Sequence, residues 1–252
     1  MIPIKNQAEI ELMREGGRIT AAALQRTFAA ARPGVSLLEL EKIARETIVA
    51  AGGEPAFERV KGYRFTTCLN LNEGMVHGIP SERELVEGDL LSVDLGTFYG
   101  GLNTDASWTV YVGDRQKAPP AKLNFLRAGE EALGAAIAEA WPGRKILDIS
   151  AAMQRVVEGA GYTPVDTLVG HGVGKELHED PQIPCLVMRG PNPEITTGMA
   201  LAIEVIYTGG SRELKTAADG WTIETADKSW GGLFEYTVAV TDEGPIILTD
   251  LE

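Results

Sequence analysis

The feature that most constrains the fold of this chain is an internal repeat. Residues 31–55 (ARPGVSLLELEKIARETIVAAGGEP) match residues 140–164 (AWPGRKILDISAAMQRVVEGAGYTP) at an offset of 109. Each segment predicts a Pro-Gly turn, a helix with apolar residues three and four apart, and a glycine that ends the helix. The shared positions include Pro33 and Pro142, Gly34 and Gly143, Leu38 and Leu147, Gly52 and Gly161, and Pro55 and Pro164.

The repeat extends beyond these two segments. Helical patterns precede them at about 7–30 and 121–140, and EGDLLSVDLGTF (87–98) matches TGMALAIEVIYT (197–208) at an offset of 110. Asp94 then falls on Glu204. The chain is therefore predicted to be a single domain of two helix–helix–strand halves, about 1–113 and 120–252, related by a pseudo-two-fold axis. A ligand site is expected where the halves meet.

Four predicted strands each carry one carboxylate. The strands are LLSVDLG, NTDASWTVYV, LAIEV and LFEYTVAV, and in each an apolar face alternates with a small or polar face. A sheet with one face covered by helices and one face open is typically antiparallel or mixed. The sequence therefore predicts the α+β class.

These carboxylates are Asp94, Asp105, Glu204 and Glu235, and each interrupts a strongly apolar run. A single carboxylate in a strand is most often solvated, but four on one inner face would repel one another unless a cation neutralises them. Two divalent ions would balance the four charges, as in two-metal hydrolytic sites. His171, in GHGVGKELHED (170–180), is the best candidate for a nitrogen ligand. Oxygen ligands with one nitrogen favour Mn, Fe or Co over a thiolate-rich zinc site.

Composition argues against several other classes of function. The net charge is −13, which disfavours nucleic acid and anionic membranes as partners. No apolar run is long enough to span a membrane, and the N-terminus lacks the pattern of a signal peptide. Cys68 and Cys185 have no CxxC spacing, which fits a reducing cytoplasm.

Six segments spread along the chain carry more specific motifs. They are IKNQAEIELMREGGRI near the start, NEGMVHGIP (72–80), SVDLGTFYGGLNTDAS (92–107), GHGVGKELHEDPQIP (170–184), MALAIE (199–204) and FEYTVAVTDEGPIILT (234–249). Together they resemble the type I methionine aminopeptidases, which have the pita-bread fold. The resemblance implies a curved, mainly antiparallel sheet covered by helices. It also implies a metal-dependent hydrolase that removes the N-terminal methionine from proteins and peptides, with no extension before the catalytic domain.

The resemblance implies a role for each matching residue. The implied metal ligands are Asp94, Asp105, His171, Glu204 and Glu235, with Asp105 and Glu235 bridging two ions. Glu204 would also take a proton from the attacking water and pass it to the leaving amine. His178 would donate a hydrogen bond to the developing oxyanion, and His77 would contact the scissile amide nitrogen or the adjacent residue.

The implied substrate pocket is formed by Tyr63, Cys68, His77, Leu177, His178 and Trp221. On the residues alone, His77 is equally well a turn histidine, Cys68 a small buried residue and Trp221 a core or surface aromatic. The resemblance favours a functional role for all three.

Four residues depart from the usual pattern of this family. Leu177 replaces an aromatic residue before His178, and Leu233 replaces a glutamine two residues before Glu235. The residues after the two ligand glutamates are Val205 and Tyr236, where proline and histidine are usual. None of these changes removes a predicted ligand, but Leu177 reshapes the predicted methionine pocket.

Two alternative functions stay open at this point. A related hydrolase of the same fold would cleave next to proline, although such relatives typically carry a large extra N-terminal domain. A non-catalytic homologue would use the fold to bind peptides or proteins. For the aminopeptidase, the resemblance implies N-terminal peptides of newly made proteins as substrates, transient association with the ribosome, a monomeric state and a cytoplasmic location.

Overall fold

The computed structural model describes residues 1–251, which form four α-helices and thirteen strands. The helices are α1 (Gln7–Ala30), α2 (Leu37–Ala50), α3 (Pro120–Ile137) and α4 (Ile146–Gly159). The strands are β1 (Glu54–Pro55), β2 (Thr67–Leu71), β3 (Gly74–Val76), β4 (Leu90–Tyr99), β5 (Leu102–Tyr111), β6 (Thr163–Pro164), β7 (Val169–Gly172), β8 (Glu179–Pro184), β9 (Ala200–Thr208), β10 (Leu214–Thr216), β11 (Ile223–Thr225), β12 (Gly231–Thr241) and β13 (Gly244–Ile247).

Ten of the strands form one sheet, whose main path runs β1-β4-β5-β12-β9-β7-β8. Strands β2, β6 and β13 join this sheet beside β4, β9 and β12, and β10, β11 and β3 form a second, small sheet. Every strand pair described is antiparallel. The predicted α+β class and mainly antiparallel sheet are confirmed.

Helices α1 and α2 begin at side chains that satisfy their first free N–H groups. Before α1, the Asn6 side chain accepts from the Glu9 N–H at 3.0 Å, and the Glu9 carboxylate accepts from the Asn6 N–H at 2.9 Å. Ser36 and Glu39 form the same reciprocal pair before α2. Such capping boxes set where a helix starts, so these boundaries follow from local sequence.

The two halves have matching backbone conformations at the repeated positions. Gly34 and Gly143 have φ angles of 87° and 86°, a left-handed conformation that favours glycine. The N–H of Gly34 donates to the Leu85 carbonyl, and that of Gly143 donates to the Ile195 carbonyl. Strands β1 and β6 also pair equivalently with β4 and β9. The pseudo-two-fold axis therefore passes between β5 and β12.

The helices cover one face of the main sheet. In the first half, Leu24 of α1 and Leu40 of α2 pack with Leu91 and Val93 of β4. In the second half, α3 packs on β9 and β12 and α4 packs beside α3, with Phe125, Leu133, Ile149, Ile203 and Phe234 in one buried cluster. The apolar faces predicted by alternation are these helix-covered faces, so the faces with the four carboxylates point away from the helices.

Two details differ from the sequence prediction. Between the two predicted halves, residues Arg115–Lys117 form a 3-10 turn, and α3 already begins at Pro120, because proline suits the first position of a helix. The helix expected at 121–140 ends at Ile137, before the turn that leads to Pro142. Among residues 1–251, no helix combines the length and apolar character that crossing a membrane requires.

Candidate functional site

A cavity of about 350 Å³ opens on the face of the sheet that carries the carboxylates. It is bordered by every residue that the sequence motifs single out, namely Tyr63, Cys68, His77, Asp94, Asp105, His171, Leu177, His178, Glu204, Trp221 and Glu235. The structure also adds Phe57, Val60, Val76, Thr167, Leu168, Val169 and Ile206 to its lining. The cavity therefore draws side chains from both halves of the repeat.

The four carboxylates come from four adjacent strands across the pseudo-two-fold axis. Glu204 of β9 lies directly opposite Glu235 of β12 in the strand register. Ser107 of β5 is opposite both Asp94 of β4 and Glu235. Asp105 lies two residues before Ser107, so it shares the same face of β5. Alternation within each strand thus gathers the four groups at the centre of the sheet.

Three of the predicted ligands form a tight cluster. One ligand atom each of Asp105, His171 and Glu235 lie within 4.8 Å of one another, and all three residues are buried. The Nε2 atom of His171 is 3.4 Å from Oε1 of Glu204. Asp94 borders the same cavity but lies outside the cluster of three.

The oxygen atoms of this cluster lack the partners that buried polar atoms need. Oδ1 of Asp105 and Oε1 of Glu235 are buried and have no hydrogen-bond partner among the described residues. Buried carboxylate oxygens are almost always paired or bound to a cation. The donor set, carboxylates with one imidazole, therefore fits a divalent metal ion.

Burial and mutual repulsion disfavour the charged forms of all four carboxyls. Burial, followed by the negative charge of neighbouring carboxylates, holds the pKa of Asp94, Glu204 and Glu235 well above the usual range. Burial raises the pKa of Asp105 to about 7, although the Ala106 N–H lowers it. In the absence of a cation the cluster therefore retains protons near neutral pH, and a bound cation would displace them.

His171 presents a neutral nitrogen to the cluster. Burial lowers its pKa to about 4, so the imidazole is neutral at pH 7. Its Nδ1 is 2.8 Å from the Gly172 carbonyl, which assigns the ring proton to Nδ1. Nε2 then carries the lone pair and faces Glu204. A neutral imidazole in this tautomer is suited to bind a metal.

The other two histidines stand at the open side of the cavity. The His178 ring centroid is 4.5 Å from that of His171. His77 and His178 both reach solvent, but each ring also packs partly against the protein. This partial burial is the main cause that lowers the pKa of each. Each is therefore a neutral ring with one N–H to donate at pH 7.

His77 sits in a backbone conformation that few residues other than glycine adopt. Its φ angle is 59°, in the left-handed region. The following N–H, of Gly78, donates to Oδ1 of Asn70 at 2.8 Å, and the Gly78 carbonyl accepts from the Leu69 N–H at 2.9 Å. Such conformations persist where surrounding contacts enforce them, often at functional sites.

The inner end of the cavity is apolar and aromatic. The rings of Tyr63 and Trp221 meet edge to face with centroids 5.1 Å apart, and Cys68 and Leu177 pack in the same cluster. The Tyr63 hydroxyl donates to the Thr67 carbonyl at 2.7 Å, which leaves its ring to face the cavity. The site therefore combines a charged cluster with an adjoining pocket for an apolar side chain.

Trp221 reaches the pocket from a segment that the first half lacks. Asp94 and Glu204 are 110 residues apart, whereas Asp105 and Glu235 are 130 apart, so the second half carries about twenty extra residues before β12. These residues form the β10–β11 hairpin. The Asp219 carboxylate accepts from the Trp221 N–H at 2.9 Å and shapes the turn that positions the indole.

Two of the four departures from the family pattern lie behind the ligands. Val205 and Tyr236 are buried on the helix-covered face, where the Tyr236 ring is 5.3 Å from that of Trp108. Leu233 is buried opposite Ile206 in the strand register. Leu177 is the one departure that borders the cavity itself.

Sequence reasoning missed part of the cavity lining. Ile206 lies two residues after Glu204, so strand alternation was a sufficient signal to place it on the same face. Val76 directly precedes His77, and Thr167–Val169 precede the glycine-rich segment of His171. Phe57 begins a 3-10 turn and Val60 ends it, in a segment whose sequence has no local pattern pointing to a site.

Comparisons with known proteins agree with this geometry. A model of metallopeptidase family M24 matches residues 11–242. The chain is 41% identical over 249 residues to methionine aminopeptidase 1 of Bacillus subtilis (strain 168), and the match covers 99% of each. It resembles the crystal structure of methionine aminopeptidase from Thermotoga maritima with a TM-score of 0.95 and 38% identity, covering 99% of this chain and 100% of that chain. It also resembles the prolidase from Pyrococcus furiosus with a TM-score of 0.80 and 25% identity, covering 99% of this chain and 66% of that chain. The pita-bread fold expected from the motifs is thereby confirmed.

Proposed function

The chain belongs to metallopeptidase family M24, and we propose that it is a methionine aminopeptidase, which removes the N-terminal methionine from proteins and peptides. The observation that carries this proposal is the buried Asp105–His171–Glu235 cluster, with its unpaired oxygens, next to an apolar aromatic pocket. A peptide whose amino terminus and scissile bond lie at the cluster would place its first side chain in that pocket.

We propose that Asp94, Asp105, His171, Glu204 and Glu235 would hold two divalent ions, Mn, Fe or Co. Asp105 and Glu235 would be the ligands shared between the ions, because each has a buried oxygen without a hydrogen-bond partner. When bound, the ions would supply Lewis-acid polarisation of the scissile carbonyl and activation of water. The four negative charges of the carboxylates would balance the four positive charges of two divalent ions, and the imidazole is neutral.

The proposed proton transfers fall to residues beside the cluster. Glu204 takes the proton of the attacking water and delivers it to the leaving amine, and its carboxylate borders the cavity 3.4 Å from Nε2 of His171. His178 donates its ring N–H to the developing oxyanion, because its lowered pKa keeps it neutral with a single donor. His77 contacts the scissile amide nitrogen or the adjacent residue from its enforced turn.

The proposed substrate pocket takes the methionine side chain between Tyr63, Cys68, Leu177 and Trp221, with His77 and His178 at its rim. Thioether sulfur makes favourable contacts with aromatic ring edges, and Tyr63 and Trp221 offer such edges. The pocket has no ion pair among the described residues, which suits an uncharged side chain.

A side-by-side assay separates this function from its nearest rival. The resemblance to a prolidase raises cleavage next to proline as the alternative. The metal-loaded protein should release methionine from Met-Ala-Ser and leave X-Pro dipeptides intact. The reverse preference would favour the proline-directed enzyme. If the protein binds no metal after loading with each of Mn, Fe and Co, a non-catalytic binding role would be favoured.

The remaining proposals concern the whole protein. We propose one catalytic domain over 1–252, with halves of about 1–113 and 120–252, acting as a monomer on N-terminal peptides of newly made proteins. Transient association with the ribosome would supply such substrates, and no stable complex with nucleic acid or membrane is proposed at a net charge of −13. Cys68 and Cys185 are free, buried thiols, which supports a cytoplasmic location.

A further inference from the structure

The loop between β7 and β8 carries Leu177 and His178 without regular secondary structure. Both residues border the cavity. Among residues 1–251, the imidazole of His178 makes no hydrogen bond, and its ring contacts the ring of His171 edge to face. The position of His178 therefore depends on how the backbone of its loop is anchored.

One anchor comes from β5 and holds the beginning of the loop. The Asn103 side chain donates to the carbonyls of Gly174 and Lys175, at 2.8 and 3.1 Å. The backbone N–H of Asn103 also donates to the Gly174 carbonyl at 2.7 Å. These bonds fix the residues before Leu177 but not the end of the loop.

The second anchor is a buried ion pair at the end of the loop. Nζ of Lys5 lies 2.5 Å from Oε2 of Glu179, the residue directly after His178. The two side chains are only 4% and 6% exposed. The other carboxylate oxygen, Oε1, accepts from the Glu176 N–H at 3.2 Å, so Glu179 binds both its own loop and Lys5.

The surrounding chain leaves space for the lysine. A Cβ atom at Gly174 would lie 2.4 Å from Cε and 2.8 Å from Nζ of Lys5, so a side chain there would force the end of the lysine to move. The N–H of Lys5 donates to the Gly198 carbonyl at 2.7 Å, which ties the segment before α1 to the turn before β9. Among residues 1–251, no other cation lies within 4.0 Å of the Glu179 carboxylate. Lys5 is therefore the counter-ion of a carboxylate that cannot easily reach water.

We propose that Lys5 is a positioning residue, which acts through its ion pair with Glu179 to hold His178 at the cavity. The inference rests on the proposed function, since it assigns His178 to the reaction. Loss of the lysine charge leaves Glu179 buried without a partner, and a buried charge without a partner moves toward solvent. Because Glu179 adjoins His178 along the backbone, that movement displaces the ring.

The first measurement reads the position of His178 without using activity. The chain has three histidines, so imidazole NMR gives three sets of signals, and His178→Gln identifies the set that belongs to His178. In metal-free protein, Lys5→Met should shift the His178 signals and leave those of His77 in place. Lys42→Met, which removes an exposed lysine paired with Glu46, should leave all three sets unchanged. Unmoved His178 signals in Lys5→Met would overturn the proposal.

The second measurement is a double-mutant cycle on the metal-loaded enzyme, with Met-Ala-Ser as substrate. Lys5→Met should lower kcat about 10-fold or more with KM changed less than about threefold, because misplacing a catalytic group by about 1 Å costs up to about 100-fold. In the His178→Gln background, Lys5→Met should lower kcat by less than about twofold further. If the factors by which the two single substitutions lower kcat multiply in the double variant, Lys5 would have a general structural role, which would contradict the proposal.

A neutral version of the pair guards against a variant that fails to fold. Lys5→Met combined with Glu179→Gln leaves no buried unpaired charge and keeps an oxygen for the Glu176 N–H. It should shift the His178 signals less than Lys5→Met alone does, because no buried charge is left to move toward solvent. A shift as large as that of Lys5→Met would refute the role of the ion pair. If the wild-type enzyme releases no methionine, the proposed function fails, while the NMR comparison still decides whether Lys5 holds His178.

Discussion

Asp105 and Glu235 each bury an oxygen atom without a hydrogen-bond partner. An unsatisfied buried acceptor costs about 1–3 kcal/mol, and more when it is charged. In the protein without metal, protonation of the cluster relieves part of this cost. The residues that we propose as ligands therefore destabilise the metal-free fold and should gain most from a cation.

This arrangement predicts an unusual pH dependence for the metal-free protein. The pKa of Asp105 is raised to about 7 in the fold, against about 3.9 in an unfolded chain, so the folded state binds more protons between these values. The stability that protonated Asp105 contributes is therefore lost as the pH rises through about 7. The lowered histidine pKa values oppose this trend near pH 6.5, where unfolded histidines are half protonated and folded ones are neutral. The four raised carboxyls outweigh the three histidines, so the net trend is a loss of stability.

Thermal unfolding in EDTA should accordingly show a Tm that falls between pH 6.5 and 8. Asp105→Asn should flatten this slope, because it removes one of the titrating groups. Added Mn²⁺ should raise the Tm most at the higher pH, where fewer protons compete for the ligands. A Tm that rises over this range in EDTA would contradict the raised pKa.

Substitution of Asp105 also tests the metal site directly. Asp105→Asn keeps the size of the side chain but removes a charge that we propose to be shared by two ions. We expect metal content to fall from about two ions to about one or none per chain, with nearly all methionine release lost. Elemental analysis of the purified variant measures the first effect. The matched control is Asp114→Asn at an exposed carboxylate, which should leave both quantities unchanged.

Leu177 is the residue most able to alter side-chain preference. It borders the pocket where the family usually has an aromatic residue. Leu177→Phe should bring a ring toward the substrate sulfur and raise the ratio of kcat/KM for methionine over norleucine about twofold to tenfold. Competition between Met-Ala-Ser and its norleucine analogue measures this ratio. An unchanged ratio would show that position 177 does not contact the first side chain.

At the scale of elements, the packing of α3 on the sheet depends on one glycine. A Cβ atom at Gly129 would lie 2.3 Å from the Phe234 ring, on the strand that carries Glu235. Gly129→Ala should therefore lower the free energy of unfolding by about 1–3 kcal/mol through overpacking.

Gly134 in the same helix supplies the matched control. Its Cβ position is open, so Gly134→Ala should raise the free energy of unfolding by about 0.5–1 kcal/mol. Urea denaturation of the two variants measures both changes. Equal effects of the two substitutions would show that helix propensity, not the close contact with Phe234, dominates at Gly129.

The elements that the sequence predicted well are those with a long periodic pattern. Strands β4, β5, β9 and β12 show clear alternation over their length, and α1 matches its predicted range because Asn6 and Glu9 define its start. The shorter strands of the sheet escaped prediction because two to six residues carry too little periodicity. They form because other strands offer them edges: β4 pairs with β1 and β2, β9 with β6 and β7, β12 with β13, and β7 with β8.

The site was predictable where it follows from alternation and repetition, and hidden where it follows from distant contacts. Asp94 and Glu204 occupy equivalent strand positions, which the repeat alone reveals. The Lys5–Glu179 pair joins residues 174 positions apart and has no local signal. The approach of Trp221 to Tyr63 likewise depends on how the β10–β11 hairpin folds over the cavity.

At the scale of the whole molecule, the pseudo-two-fold axis accounts for the composition of the site. Each half contributes two strands with one carboxylate each, and the axis between β5 and β12 brings the four together. The second half adds His171 and the hairpin of Trp221, so a symmetric fold carries an asymmetric pocket. The two halves bring the four carboxylates together at the centre of the sheet. Cations bound there would neutralise the repulsion among them.

Diffraction from a crystal soaked in Mn²⁺, recorded at the manganese absorption edge, tests this account most directly. We expect two anomalous peaks in the cavity, ligated by Asp94, Asp105, His171, Glu204 and Glu235, with Asp105 and Glu235 contacting both. Peaks elsewhere, or a cavity without any peak after soaking, would contradict the proposed metal centre.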